Sequence, residues 1–136
     1  MKHEKSCGAI VFTRINNQIK YVIIESLTGI YGFPKGHVEN SETEKETAVR
    51  EIFEEVGLQI EFIENFRECV EYYIPSVDIQ KQVVYFLGEY SNQEIIFQKE
   101  ELISAQLLTF EETMTVFTHD NNKELLKTAK SFIENL

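Results

Sequence analysis

Residues 36–58 read GHVENSETEKETAVREIFEEVGL, and the spacing inside this stretch decides the fold. Five residues separate Gly36 from Glu42, and seven more lead to Arg50 and Glu51. Ile52, Glu54, Glu55, Gly57 and Leu58 follow. Ala48, Val49, Ile52, Phe53 and Val56 keep helical spacing and predict a helix with an apolar face turned to a core. Residues three or four apart share a helix face, so Glu51, Glu54 and Glu55 are expected to send their carboxylates toward one patch. Like charges that close repel, and a chain that gathers them needs a positive partner. Hard divalent cations, which prefer oxygen ligands, are the natural candidates. Ser41 predicts the N-cap, with Glu42 and Glu44 in the favourable first turn. Gly57 predicts the C-terminal stop.

At every position this spacing resembles the Nudix box, G-x(5)-E-x(7)-R-E-U-x-E-E-x-G-U, where U is aliphatic. Such a match arises by chance roughly once in a billion start positions. A merely solvated acidic helix has no need of Gly36, Arg50 and Gly57 at fixed offsets. The resemblance implies an α/β fold, a mixed β-sheet sandwiched between α-helices, with the box as a loop-helix-loop. It covers essentially the whole chain. It also implies Mg²⁺ or Mn²⁺ held by Glu51, Glu54 and Glu55, with the backbone carbonyl of Gly36 as a further candidate ligand. Arg50, paired with Glu42, would orient the catalytic glutamates, because an arginine fork fixes a carboxylate and keeps it ionised.

The rest of the chain is consistent with one domain over residues 1–136. Residues 5–13 (KSCGAIVFT) and 20–25 (KYVIIE) predict strands joined by the turn residues Asn16 and Asn17. Residues 59–74 predict a long strand or a pair of strands, PSVDIQ a loop, KQVVYFLGEY (81–90) a strand, and EELISAQLLTF a further short strand. FEETMTVF and NNKELLKTAKSFIENL read as helices, the latter with Leu125, Leu126, Ala129, Phe132 and Ile133 as its apolar stripe. With 136 residues the chain is long enough for a real core. No apolar run approaches a membrane span, and the N-terminus lacks the pattern of a signal peptide. Cys7 and Cys69 make no disulfide framework; both lie in apolar, strand-like runs, which predicts buried thiols and fits a reducing cytoplasm. A net charge of −10 argues against broad nucleic-acid binding. It does not argue against a polyphosphate substrate, because a bound cation reverses the local field.

Cleaving a phosphoanhydride requires charge neutralisation, a positioned water and a stabilised leaving phosphate, and carboxylate-bound ions supply all three. The flanks bear on the substrate. GIYGFPKGHVE resembles the segment leading into the box of asymmetric diadenosine tetraphosphate hydrolases, a Nudix subgroup. SCGAIVF, Tyr72-Tyr73, Lys81 and Val83-Val84-Tyr85-Phe86 resemble it too. That resemblance implies diadenosine tetraphosphate cleaved to ATP and AMP. A nucleoside triphosphate pyrophosphohydrolase and an RNA 5′-end pyrophosphohydrolase are the alternatives in the same class. A nucleotide sensor that binds without cleaving is the alternative in another. Intact box glutamates oppose the sensor, and the acidic charge opposes RNA. Lys35 and His37 would stand at the mouth of the acidic site, and Lys81 would either reach a phosphate or stand as a solvated edge lysine. Tyr73 or Tyr85 would stack on a base, although core packing is the commoner role of a strand aromatic. Of Glu100 and Glu101, the spacing does not choose which contributes to the site. It leaves the oligomeric state undetermined.

Overall fold

The structure is a computed structural model that describes residues 1–136. Its spine is strand β1 (Lys2–Ile15), which turns through Asn16 and Asn17 into β2 (Gln18–Ser26). Both turn residues have positive φ, 51° and 66°, as a two-residue hairpin of the right twist demands. From Ser6 to Thr13 β1 is buried without interruption, not in alternation, because the sheet is covered on both faces. On its other side β1 runs parallel to β7 (Ile79–Glu89), in register from Lys2 opposite Ile79 to Phe12 opposite Glu89. The other ladders are antiparallel: β3 (Tyr31–Gly32) and β8 (Leu102–Leu108) on β2, β4 (Lys35–His37) on β1, and β5 (Glu61–Phe62) and β6 (Glu68–Ile74) on β7. The sheet is therefore mixed.

Alternation along β1 divides the core in two. Cys7, Ala9 and Val11, with Val84 and Phe86 of β7, receive Ala48, Ile52 and Val56 of helix α1 (Glu44–Val56). Ile10 and Phe12, with Val83, Tyr85 and Leu87, receive Leu125, Leu126, Ala129 and Ile133 of α3 (Asp120–Glu134). The short α2 (Phe110–Val116) closes the same side as α3. Truncating the fully buried Ile52 to Ala is expected to cost about 2–5 kcal/mol, enough to loosen α1 from the sheet. No helix is long and apolar enough to cross a membrane.

Three local expectations are corrected. The N-cap of α1 is Thr43, not Ser41: its hydroxyl accepts from the Glu46 N–H (3.1 Å), and the Glu46 carboxylate accepts from the Thr43 N–H (2.8 Å). The reciprocal box outcompetes a lone serine and places Glu42 before the helix. Val49 and Phe53 are 46% and 54% exposed, since they lie about 100° around the helix from the seam of Ala48, Ile52 and Val56. Cys7 is buried, but Cys69 is exposed, because β6 is an edge strand paired on one side only.

Candidate active site

Strand β4 brings Lys35 and Gly36 against β1, opposite Gly8 and Cys7. Helix α1 then packs so close beneath β4 that a Cβ on Gly36 would overlap the carboxylate of Glu51. Glycine at 36 is what permits this approach. Gly57 does the matching work at the far end, ending α1 with φ 72° and returning its N–H to the Phe53 carbonyl at 2.9 Å. Box glycines thus set both limits of the acidic helix.

Arg50 is the hub between them. Its Nε and one terminal nitrogen grip both oxygens of Glu42 at 2.6 and 3.0 Å. That nitrogen also donates to the His37 carbonyl at 3.0 Å. The other terminal nitrogen donates to Glu51 at 2.8 Å and Glu54 at 3.2 Å. Glu42 in turn accepts from the Glu39 N–H and the Thr47 hydroxyl, each at 3.0 Å. These donors, the Arg50 fork first, hold the Glu42 carboxyl down at about 2. The fork ties the loop before the helix to its acidic face.

Glu55 is 6% exposed, and one of its oxygens accepts from the Lys35 N–H at 2.9 Å. Burial, aided by repulsion from Glu51 and Glu101, pushes its carboxyl up to about 8. Glu51 is raised as well, by burial first and against the pull of Arg50. The Lys35 side chain, lowered by its own burial, faces both carboxylates. Of the two glutamates the sequence left open, Glu101 lines the cavity beside Glu55, and Glu100 does not. The segment before Glu101 is hitched to α1: the Ile96 N–H donates to the Val56 carbonyl and the Gln98 N–H to the Glu55 carbonyl, both at 3.0 Å.

Glu51, Glu54 and Glu55 each commit one oxygen to an orienting bond, leaving the second free. An all-oxygen, acidic donor set of this kind suits Mg²⁺ or Mn²⁺, so the residues fit the ion that the box implies. The three are not drawn to one point, however. No three acidic, histidine or cysteine side chains converge as a ready-made metal cage. Glu54 lies half in solvent and leans on Arg50, which keeps the repelling carboxylates apart.

A cavity of about 650 Å³ opens beside Glu55 and Lys35 and runs between the sheet and the start of α3. It settles the placement of the remaining candidates. Tyr72, not Tyr73, lines it. Successive strand residues face opposite ways, and Tyr73 instead donates its hydroxyl to Asp78 at 2.6 Å. Tyr85 is only 4% exposed and forms the cavity floor, its ring edge-on to Phe33 at 5.7 Å. As part of the core it offers no free face for a base. Lys81 is neither a solvated edge lysine nor a lining residue: it is buried on the inner strand β7 and donates to the Ser6 hydroxyl at 2.8 Å. Burial lowers its pKa, with Lys35 adding to the effect. The His37 side chain points outward, 3.8 Å from Glu4. Sequence reasoning missed Tyr31, His119, Asn121 and Asn122, all of which line the cavity. Tyr31 lay in the quoted GIYGFPKGHVE segment, but nothing local marks the other three as more than polar residues near a helix start.

Known proteins agree with this geometry. A family model, the NUDIX domain, matches residues 6–133. The chain is 30% identical over 141 aligned residues to the asymmetrical bis(5′-nucleosyl)-tetraphosphatase of Mus musculus, covering 95% of each protein. It is 33% identical over 102 residues to the Sus scrofa protein of the same name, covering 67% of this chain and 68% of that one. In three dimensions it is similar to the C. elegans Ap4A hydrolase binary complex, with a TM-score of 0.90 at 20% identity over 98% of this chain and 99% of that one. The box spacing, the helix-sheet-helix layering and the family match thus converge, and the chain belongs to the NUDIX family of hydrolases.

Proposed function

We propose that the chain hydrolyses dinucleoside polyphosphates, taking diadenosine tetraphosphate asymmetrically to ATP and AMP, with Mg²⁺ or Mn²⁺ held by Glu51, Glu54 and Glu55. The observation that carries this reading is the 30% identity to a bis(5′-nucleosyl)-tetraphosphatase along 95% of both chains. The flanking motifs and the position of the cavity support it.

In this reading the bound ion supplies charge neutralisation at the attacked phosphorus. The residues do the positioning. Arg50 holds Glu51 and Glu54 in place, so little reorganisation is needed when substrate arrives. Glu101, which lines the cavity together with Glu55, is suited to accept a proton from the attacking water. Lys35, in the cavity wall, offers positive charge to the phosphate chain. Tyr72 presents a half-exposed ring on which a base can stack.

The test is a screen of purified protein against dinucleoside polyphosphates, nucleoside triphosphates, ADP-ribose and triphosphorylated RNA, with each metal and with product identification. The expected outcome is fastest cleavage of diadenosine tetraphosphate to ATP plus AMP. Two ADP as the main product, or fast triphosphate hydrolysis with no cleavage of the dinucleotide, would overturn the substrate.

A further inference from the structure

We infer that Gln93 is a positioning residue that fixes where Glu101 stands in the cavity. This rests on the reading of Glu101 as the group that accepts a proton from the attacking water. Glu101 belongs to residues 90–101, which join β7 to β8 with no helix or strand of their own. Such a stretch keeps a carboxylate in place only if something else holds the stretch. The end of α1 does so. A helix leaves its last carbonyls without partners of its own, and here the loop supplies two of them. The Ile96 N–H donates to the Val56 carbonyl and the Gln98 N–H to the Glu55 carbonyl. The Gln98 carbonyl in turn accepts from the Glu101 N–H at 3.1 Å and the Leu102 N–H at 2.9 Å. The backbone of Gln98 therefore bridges the two glutamates that share the cavity.

Gln93 anchors the other end of this strap. Asn92, in the left-handed region with φ 55°, bends the chain shortly after β7. The Gln93 carboxamide then pairs with Gln59, just past the end of α1. Its oxygen accepts from the Gln59 N–H at 2.8 Å, and its nitrogen donates to the Gln59 carbonyl at 2.9 Å. An amide carries donor and acceptor in one plane, so it can occupy both backbone groups of a single residue, as a neighbouring strand would. Of the side chains between Ser91 and Glu101, Gln93 alone is hydrogen-bonded, while Ile95 packs against the core beneath α1. Alanine or glutamate at 93 cannot make both bonds.

The experiment is a double-mutant cycle between positions 93 and 101, with diadenosine tetraphosphate and Mg²⁺, reading kcat and KM separately. Glu101→Gln should lower kcat at least ~100-fold, as loss of a general base does. Gln93→Ala should lower kcat about 3- to 10-fold and leave KM within about twofold. Gln93→Glu keeps the acceptor and loses the donor, so its kcat should fall too. In the Glu101→Gln background, Gln93→Ala should cost nothing more, because the group it positions has gone. The same fold loss in both backgrounds, or wild-type kcat in both Gln93 variants, overturns the assignment. If Glu101→Gln turns over at the wild-type rate, or the dinucleotide is not cleaved at all, the reading of the preceding section has failed on its own. Amide hydrogen exchange then decides the placement. Faster exchange of the Ile96 and Gln98 amides in Gln93→Ala upholds the anchor, and unchanged exchange overturns it.

Discussion

Helices α1 and α3 cover opposite faces of one sheet, yet they meet the cavity in opposite ways. The functional groups of α1 are bonded before any ligand arrives: Arg50 holds Glu42, Glu51 and Glu54, and the Lys35 N–H holds Glu55. The first turn of α3 brings His119, Asn121 and Asn122 to the cavity with no such ties. The difference teaches where preorganisation matters. Groups that meet developing charge must be fixed in advance, because reorganising them during the reaction raises the barrier. Groups that only sort substrates can be left for the ligand to satisfy.

The hardest blow to this contrast would come from Glu54→Gln. It preserves shape and helix propensity and removes a charged oxygen, so kcat should fall at least ~100-fold while the melting temperature barely moves. Near-wild-type turnover in saturating Mg²⁺ would remove Glu54 from the chemistry. Arg50→Lys comes next. It retains the charge but cannot grip Glu42 with two nitrogens and reach Glu51 and Glu54 besides, so a loss of about 10- to 100-fold is expected, chiefly in kcat. A pure KM effect would mean that the fork serves binding instead.

On the substrate side, Tyr72→Ala should cost roughly 1–3 kcal/mol of binding, seen in KM, and less for inorganic tripolyphosphate, which has no base. Tyr73→Ala, on the other face of β6, is the control and should leave KM alone. Equal effects of the two would erase the distinction that the strand draws between them.

The smallest effect concerns pH. The Glu55 carboxyl sits at about 8 in the folded protein against an ordinary 4.5, so the native state holds its proton more tightly than the unfolded state. Its contribution is complete below pH 4.5 and is lost as pH rises toward 8, by up to about 1.4 kcal/mol per pH unit. Metal-free protein should therefore melt lower at pH 8 than at pH 6, and Glu55→Gln should flatten that difference. Glu42 and Glu44, held at about 2 by arginine and lysine partners, act in a separate window, losing their contribution as pH falls from 4.5 toward 2. An unchanged slope in Glu55→Gln would mean that the carboxyl is not buried as described.

Much of the fold was legible because its signals are local. The period of Ala48, Ile52 and Val56 and the Asn16-Asn17 turn need only neighbours to be read. The box was legible because its glycines and charges stand at fixed offsets. What escaped depends on distant partners. Tyr72 and Tyr73 have near-identical local contexts, and only the pairing of β6 with β7 decides which one faces the cavity. Glu101 rather than its neighbour Glu100 lines the cavity because of a preceding loop whose path is set by bonds to Glu55 and Val56. Lys81 reads as an edge residue until β7 is found to run inside the sheet, between β1 and β6. Asn122 joins the site only through the way α3 lies against Gly32.

The parallel ladder of β1 and β7 also governs how the protein comes into being. Each of its pairs joins residues 77 apart, as Lys2 and Ile79 are (79 − 2). Closing such a loop demands entropy before contacts reward it, so local hairpins such as β1–β2 form first and this ladder late. Helix α1 takes its seat on Val84 and Phe86 of β7 together with Cys7 and Ala9 of β1. The glutamates therefore have no platform until these residues, 77 apart in sequence, have met, and catalytic competence should return on refolding only once that ladder is in place.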